Sequence, residues 1–275
     1  MNLGDAAPIG VFDSGVGGLS VVGALLACLP RESLFYIADS HNCPYGPRSP
    51  QEIRMLSEGI SRYLLSQGAK LIVVACNTAS AAALAHLRAA FPATPFVGMV
   101  PAIKPAVQAT RSGVVGVLAT PATIGGDLYQ EVLEHHASGV RVVSRTCPGL
   151  VEQVEAGDLD GPRTMALLRA CVEPLLEAGA DTLVLGCTHY PFLIPALRTV
   201  AGDGVRILEP SEAIARQTAR LLENRELLCQ EERAPTRVYA TTGDVAHFAK
   251  ALGALLGWQG EIRALRWLGG EIEGH

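Results

Sequence analysis

The sequence predicts an α/β fold of two similar lobes, pseudo-two-fold related, each a mostly parallel sheet flanked by helices. Three observations carry that prediction. Short apolar runs alternate with longer amphipathic stretches along the 275 residues, the pattern of strands buried on both faces between covering helices. Hydrophobic residues make up 49% and charged residues 18%, enough apolar surface for a sizeable core and too little charge for a disordered chain. Finally, three stretches recur in the same order. Ile9-Gly-Val-Phe-Asp-Ser14 has an echo in Val115-Gly-Val-Leu-Ala-Thr120. Cys43-Pro44 has one in Cys147-Pro148, and the run from Leu71 to Thr78 has one in Thr182 to His189. The echoes include polar loop residues as well as strands, which points to duplication rather than to the common grammar of βα units.

The apolar runs place strands at 9–12, 34–38, 71–75, 96–100, 114–118, 140–144, 182–185 and 205–208, with helices at 50–67, 79–90 and 161–178. The lobe crossings fall at Gly98–Pro101 and Glu209–Pro210. The first lobe is then residues 1–99 plus 210–275, with the tail returning to it, and the second is 100–209. Residues 269–275 read as a frayed end. Two facing lobes would direct their strand ends into a shared crevice, where open α/β sheets bind ligands.

Charge and cysteine usage exclude several functions. The net charge is −5 and no Lys/Arg tract occurs, so nucleic acid is not expected as a partner. The start lacks the basic and apolar regions of a secretory signal, and no window of 18 residues is uncharged and apolar; a cytoplasmic chain without membrane association is expected. Seven cysteines stand at 28, 43, 76, 147, 171, 187 and 229 with no C-x-x-C, which argues against a disulfide framework or zinc ribbon, and no metal site is expected. Cys28, Cys171 and Cys229 fall on helical patterns and read as packing residues.

Cys76 and Cys187 differ from these. Each directly follows a strand and precedes a helix start, where N–H groups and the helix dipole favour a thiolate. Asn77, Thr78, Thr188 and His189 surround them with hydrogen-bonding groups; Asn77 and Thr78 fit helix caps and ligand contacts equally. His189 reads as a core or capping residue, or as the partner that tunes Cys187. Asp13-Ser14-Gly15-Val16-Gly17-Gly18 follows the first strand and lets backbone approach a ligand. It is not a dinucleotide fingerprint, since Ser20 stands where the third glycine belongs. Asp13 is an N-cap or a carboxylate acting on Cys76 or on an ammonium group. Pro44-Tyr45-Gly46 reads either as a plain turn or as a loop in which Tyr45 lids a site, and Glu152 and Glu155 read by default as exposed helix charge.

Residues 9–19, Pro44-Tyr45-Gly46, residues 74–79 and residues 185–191 closely resemble the motifs of glutamate racemases, over about Ile9 to Arg220. The resemblance implies an active site in the cleft between the lobes and a cofactor-independent, two-base racemisation of L- and D-glutamate, supplying D-glutamate for peptidoglycan. Cys76 and Cys187 would be the bases, assisted by Asp13 and His189. Asp13, Ser14, Tyr45, Gly46, Asn77, Thr78, Thr188 and His189 would hold the amino acid, and Glu155 would lie near the second thiol. Cys43 is expected near the site without being catalytic. A homodimer is expected, with glutamate as the small-molecule partner.

The chain's three lysines, Lys70, Lys104 and Lys250, lie outside the recurring loops. That argues against pyridoxal phosphate, which needs a Schiff-base lysine. The alternatives are a racemase of aspartate or another amino acid, and a regulatory amino-acid-binding protein. A Cys187–His189 acyl-transfer pair would leave Cys76 unexplained.

Overall fold

The computed structural model describes residues 6–230, 234–258 and 260–274. Eleven strands among them form two sheets. The first sheet contains β1 (Ile9–Asp13), β2 (Leu34–Ala38), β3 (Leu71–Val74), β4 (Phe96–Gly98), β9 (Arg237–Thr241), β10 (Ile262–Leu268) and β11 (Glu271–Gly274), in the order β11-β10-β9-β2-β1-β3-β4. The second contains β5 (Val114–Ala119), β6 (Arg141–Thr146), β7 (Thr182–Gly186) and β8 (Arg206–Leu208), in the order β6-β5-β7-β8. Every pairing except β10 with β11 is parallel.

All eight strands read from the apolar runs are present. The segment β2-β1-β3-β4 of the first sheet has the same order as the whole of the second, so the sequence echoes correspond to equivalent strands. β1, β2, β3 and β7 are buried along their whole length, as strands covered by helices on both faces must be.

The helices begin where the side chains direct. Pro50–Ser66 is opened by Ser49, whose hydroxyl accepts from the Glu52 N–H while Glu52 returns a bond to the Ser49 N–H. Pro50 occupies the first turn, where its missing N–H costs nothing. Pro162–Glu177 lies over β5 and β7: a Cβ on Gly116 would come 2.7 Å from Leu183 Cδ2 and 2.9 Å from Leu175 Cδ1. The bare backbone of that strand glycine is what lets the helix pack so closely.

The tail departs from expectation. Residues 269–274 are ordered as the turn and last strand of an antiparallel hairpin with β10, and Ile272 is buried; His275 lies outside the described residues. Alternation in Glu271–Gly274 is too short to stand out among polar neighbours. Cys28 is exposed rather than packed, and Cys229 is buried but lies outside any helix.

The functional residues are placed by strand order. Asp13 ends β1, and Cys43, Cys76, Thr120, Cys147 and Cys187 follow β2, β3, β5, β6 and β7 respectively. All stand at the carboxyl ends of parallel strands. A Gly116→Ala substitution should destabilise the fold by about 1–3 kcal/mol, because the core must shift to admit one methyl. Urea unfolding checks this, and a neutral result would mean that Leu175 and Leu183 yield freely.

Candidate active site

A cavity of about 400 Å³ opens between the two sets of loops, a size usual for small-molecule sites. Ser14, Tyr45, Gly46, Cys76, Asn77 and Thr78 line one side. Thr120, Cys147, Cys187, Thr188, His189 and Tyr190 line the other. The structure therefore brings both singled-out cysteines to one space. Cys76 and Cys187 are 4% and 6% exposed, so each sulfur sits in a largely dehydrated pocket wall.

Cys76 is itself the N-cap of the Asn77–Ala90 helix, and its sulfur accepts from the Ala79 N–H at 3.5 Å. The caps expected of Asn77 and Thr78 are thus not used. Thr78 Oγ1 meets Thr120 Oγ1 at 2.9 Å. Both side-chain polar atoms of Asn77 are buried without a protein partner at the cavity wall, an arrangement that invites a polar ligand. Ser14 Oγ lies 3.9 Å from Cys76 Sγ.

Asp13 is fully buried and is not a cavity-lining residue. Its Oδ2 accepts from the Gly18 N–H at 2.6 Å and from Thr188 Oγ1 at 3.2 Å. Burial raises the Asp13 pKa, against the pull of His189 and of a hydrogen bond with Cys76. Burial likewise pushes the Cys76 thiol well above its ordinary value, and the Asp13 charge adds to that. Cys76 therefore rests as a neutral thiol beside a carboxyl group.

The opposite side is charged differently. Cys187 Sγ lies 3.8 Å from His189 Nδ1, and His189 Nε2 meets Glu155 Oε1 at 2.6 Å. The same oxygen accepts from the Val16 N–H at 2.8 Å. Burial disfavours a charged imidazole, yet hydrogen bonds to Cys187, Cys43 and Glu155 prevail and hold the His189 pKa well above 6.5. Burial disfavours the Glu155 carboxylate too, but the His189 hydrogen bond prevails and lowers its pKa. Glu155 is accordingly no exposed helix charge: its side chain is 17% exposed. Glu152 is exposed and borders the cavity mouth.

The glycines after Asp13 serve the protein's own side chains. A Cβ on Gly17 would fall 2.3 Å from His189 Nδ1, and one on Gly18 would fall 2.7 Å from Asp13 Cβ. Tyr45 lines the cavity, but its hydroxyl is engaged by Asp39 at 2.6 Å, so the ring rather than the hydroxyl faces the space. Asp39 also accepts from Asn42, Thr242 and Trp267, which ties the turn carrying Tyr45 and Gly46 to the far strands. Reading the sequence overlooked Thr120 and Tyr190. Thr120 had a signal, since it is the echo of Ser14.

The sequence model described as Asp/Glu/hydantoin racemase matches residues 9–218. A glutamate racemase of Roseiflexus sp. (strain RS-1) is 55% identical over 251 residues, covering 91% of this chain and 92% of that protein. Among solved structures, a glutamate racemase isoform of Bacillus anthracis superposes with a TM-score of 0.84 at 35% identity, over 94% of this chain and 97% of that one. The Escherichia coli glutamate racemase, solved with L-glutamate and an activator, gives 0.84 at 34% identity, over 96% and 100%.

The Glu155–His189 pair implies a pH signature in stability. The folded pKa of His189 is raised above 6.5, so its share is complete below about 6.5 and lost as pH rises through the raised value. That of Glu155 is lowered below 4.5, so its share is complete above 4.5 and lost as pH falls through the lowered value. The stability lost in Glu155→Gln should be largest between these limits and shrink in alkali. A pH-independent difference in urea unfolding would contradict it.

Proposed function

The chain belongs to the Asp/Glu/hydantoin racemase family and, as a glutamate racemase, interconverts L- and D-glutamate; we propose that it does so with Cys76 and Cys187 as two bases and with no cofactor. The single observation that carries this reading is that both sulfurs border one 400 Å³ cavity from opposite loop sets. Racemisation needs a base on one face of the α-carbon and an acid on the other. In the direction starting from a Cys187 thiolate beside protonated His189, Cys187 takes the α-proton and the neutral Cys76 thiol delivers one to the opposite face. The reverse direction exchanges the roles, with Asp13 accepting or returning the Cys76 proton and His189 that of Cys187.

The developing charge on the α-carbon needs stabilisation that does not reorganise. The buried, unpartnered amide of Asn77, with Ser14 and Thr78, supplies donors for the carboxylates, while Thr188, whose hydroxyl donates to Asp13, borders the substrate and Tyr45 and Gly46 close the wall. Asp13 and Glu155 act through the thiol and the imidazole they touch, not on substrate. A Schiff-base cofactor finds no anchor there, since no lysine lines the cavity among the described residues. Lys70 is instead buried against Glu32 at 2.6 Å.

The product D-glutamate would enter bacterial peptidoglycan. Among the described residues no helix is long and apolar enough to cross a membrane, which suits a cytoplasmic enzyme, and we take it to act as a homodimer. Its lobes would divide as 1–99 plus 210–275 and 100–209, which assigns the strands of each sheet to one lobe.

Cys76→Ala and Cys187→Ala should each lower racemisation by about 10²–10⁴-fold, the usual worth of a positioned acid or base. Polarimetry and α-proton exchange in D2O measure it, and full activity in either variant would reject the two-base scheme. Testing aspartate alongside glutamate decides the substrate, because one methylene is worth only about 1–3 kcal/mol. Asn77→Ala should raise KM for glutamate roughly ten-fold or more, the worth of a hydrogen bond to a charged group. Its unfolding midpoint should not move, since no protein partner is lost. An unchanged KM would remove Asn77 from the binding set.

A further inference from the structure

Cys43, which stands beside the active site, has no task in the two-base scheme. Its sulfur, a carboxylate oxygen of Glu155 and a ring nitrogen of His189 all lie within 4.8 Å of one another, and Glu155 Oε1 is the oxygen that meets both Cys43 Sγ and His189 Nε2. Cys43 and Glu155 do not line the cavity, whereas His189 does, so the three atoms converge behind the imidazole. We infer that Cys43, Glu155 and His189 form a binding site for a thiophilic divalent cation such as Zn²⁺ or Cd²⁺, and that its occupation arrests catalysis from behind His189 rather than from within the substrate cavity.

The donor set is the first support. A thiolate, an imidazole and a carboxylate are the ligands zinc takes, and a thiolate selects against magnesium and calcium. Geometry is the second. With Zn–S at about 2.3 Å and Zn–O at about 2.1 Å, a tetrahedral site sets sulfur and oxygen about 3.6 Å apart, and Cys43 Sγ lies 3.6 Å from Glu155 Oε1. The imidazole must retreat from its 2.6 Å contact with that oxygen to about 3.4 Å, the matching N–O edge. The fourth position is left to water.

Supporting contacts are in place as well. The Val16 N–H fixes Glu155 Oε1, and Cys187 lies at the other ring nitrogen; such partners orient metal ligands. The cluster also depends on a missing side chain. A Cβ on Gly15 would sit 1.9 Å from Glu155 Oε1 and 3.0 Å from Cys43 Sγ, so any other residue there would occupy the point of convergence.

Binding would replace the thiol proton of Cys43 and the proton shared by His189 and Glu155, both released to solvent. The imidazole would then be held by the metal at Nε2 and could no longer gain or lose a proton for Cys187. Glutamate would still enter the cavity, so turnover would fall while KM stayed constant. A cation caught between Cys76 and Cys187 would behave oppositely and compete with glutamate.

The test titrates full-length metal-free protein with Zn²⁺, reading kcat and KM, and with Cd²⁺, reading ultraviolet cadmium–thiolate absorption and bound metal after equilibrium dialysis. The binding readouts need no turnover, so they stand or fall separately from the two-base mechanism. The parent protein should bind one equivalent, lose kcat and keep KM. For Cys43→Ala and Cys43→Ser, the turnover of each variant in metal-free buffer is the reference against which its own inhibition is read. Both should need at least about ten-fold more Zn²⁺ for half-inhibition and lose the thiolate absorption. Absence of bound metal, inhibition competitive with glutamate, or undiminished sensitivity in both Cys43 variants would overturn the assignment.

Discussion

Two carboxylates reach across the cleft in opposite directions, and the site depends on that exchange. Asp13, at the end of β1, accepts from Thr188 in the loop after β7. Glu155, in a helix that follows β6, accepts from the Val16 N–H in the loop after β1. Each carboxylate also touches the group beside one of the two sulfurs. Buried charges persist only when satisfied by hydrogen bonds or counter-charge, so the lobes cannot separate without stranding both. Ser20 Oγ adds a bond to the Thr188 carbonyl at 3.1 Å.

The two halves of the site are alike in topology and unlike in electrostatics. Cys76 faces a buried carboxyl group, while Cys187 faces an imidazole that keeps its proton. That asymmetry does not bias the products, because enantiomers have equal free energy in water whatever the enzyme's resting state. It distinguishes only the surroundings of the two sulfurs. A chain built from two related units can thus evolve different proton stores behind each sulfur while strand order keeps the sulfurs facing one space.

The frame was legible in the sequence because continuous apolar runs admit few alternatives, and because the echo between residues 9–14 and 115–120 repeats polar positions that packing alone does not demand. Cys76 and Cys187 stood out for the same reason. What sequence did not reveal depends on contacts between distant segments. Glu155 had no local feature separating it from Glu152; only the fold turns one toward His189 and leaves the other at the rim. The glycines from 15 to 18 were legible as a loop needing close approach, but what approaches is His189 and Asp13 rather than a ligand. The last hairpin was missed because a four-residue strand among glycines and charges carries almost no periodic signal.

The use of a sulfur atom to begin the Asn77–Ala90 helix has a consequence of its own. A thiolate is a better acceptor than a thiol and is favoured by the positive end of the helix. Each loss of the Cys76 proton must therefore tighten the bond from Ala79, and each return must loosen it. Backbone order in one helical turn is in this way tied to the ionisation of a single atom, and the Ala79 amide becomes a built-in spectator whose resonance or exchange rate follows the charge on that sulfur.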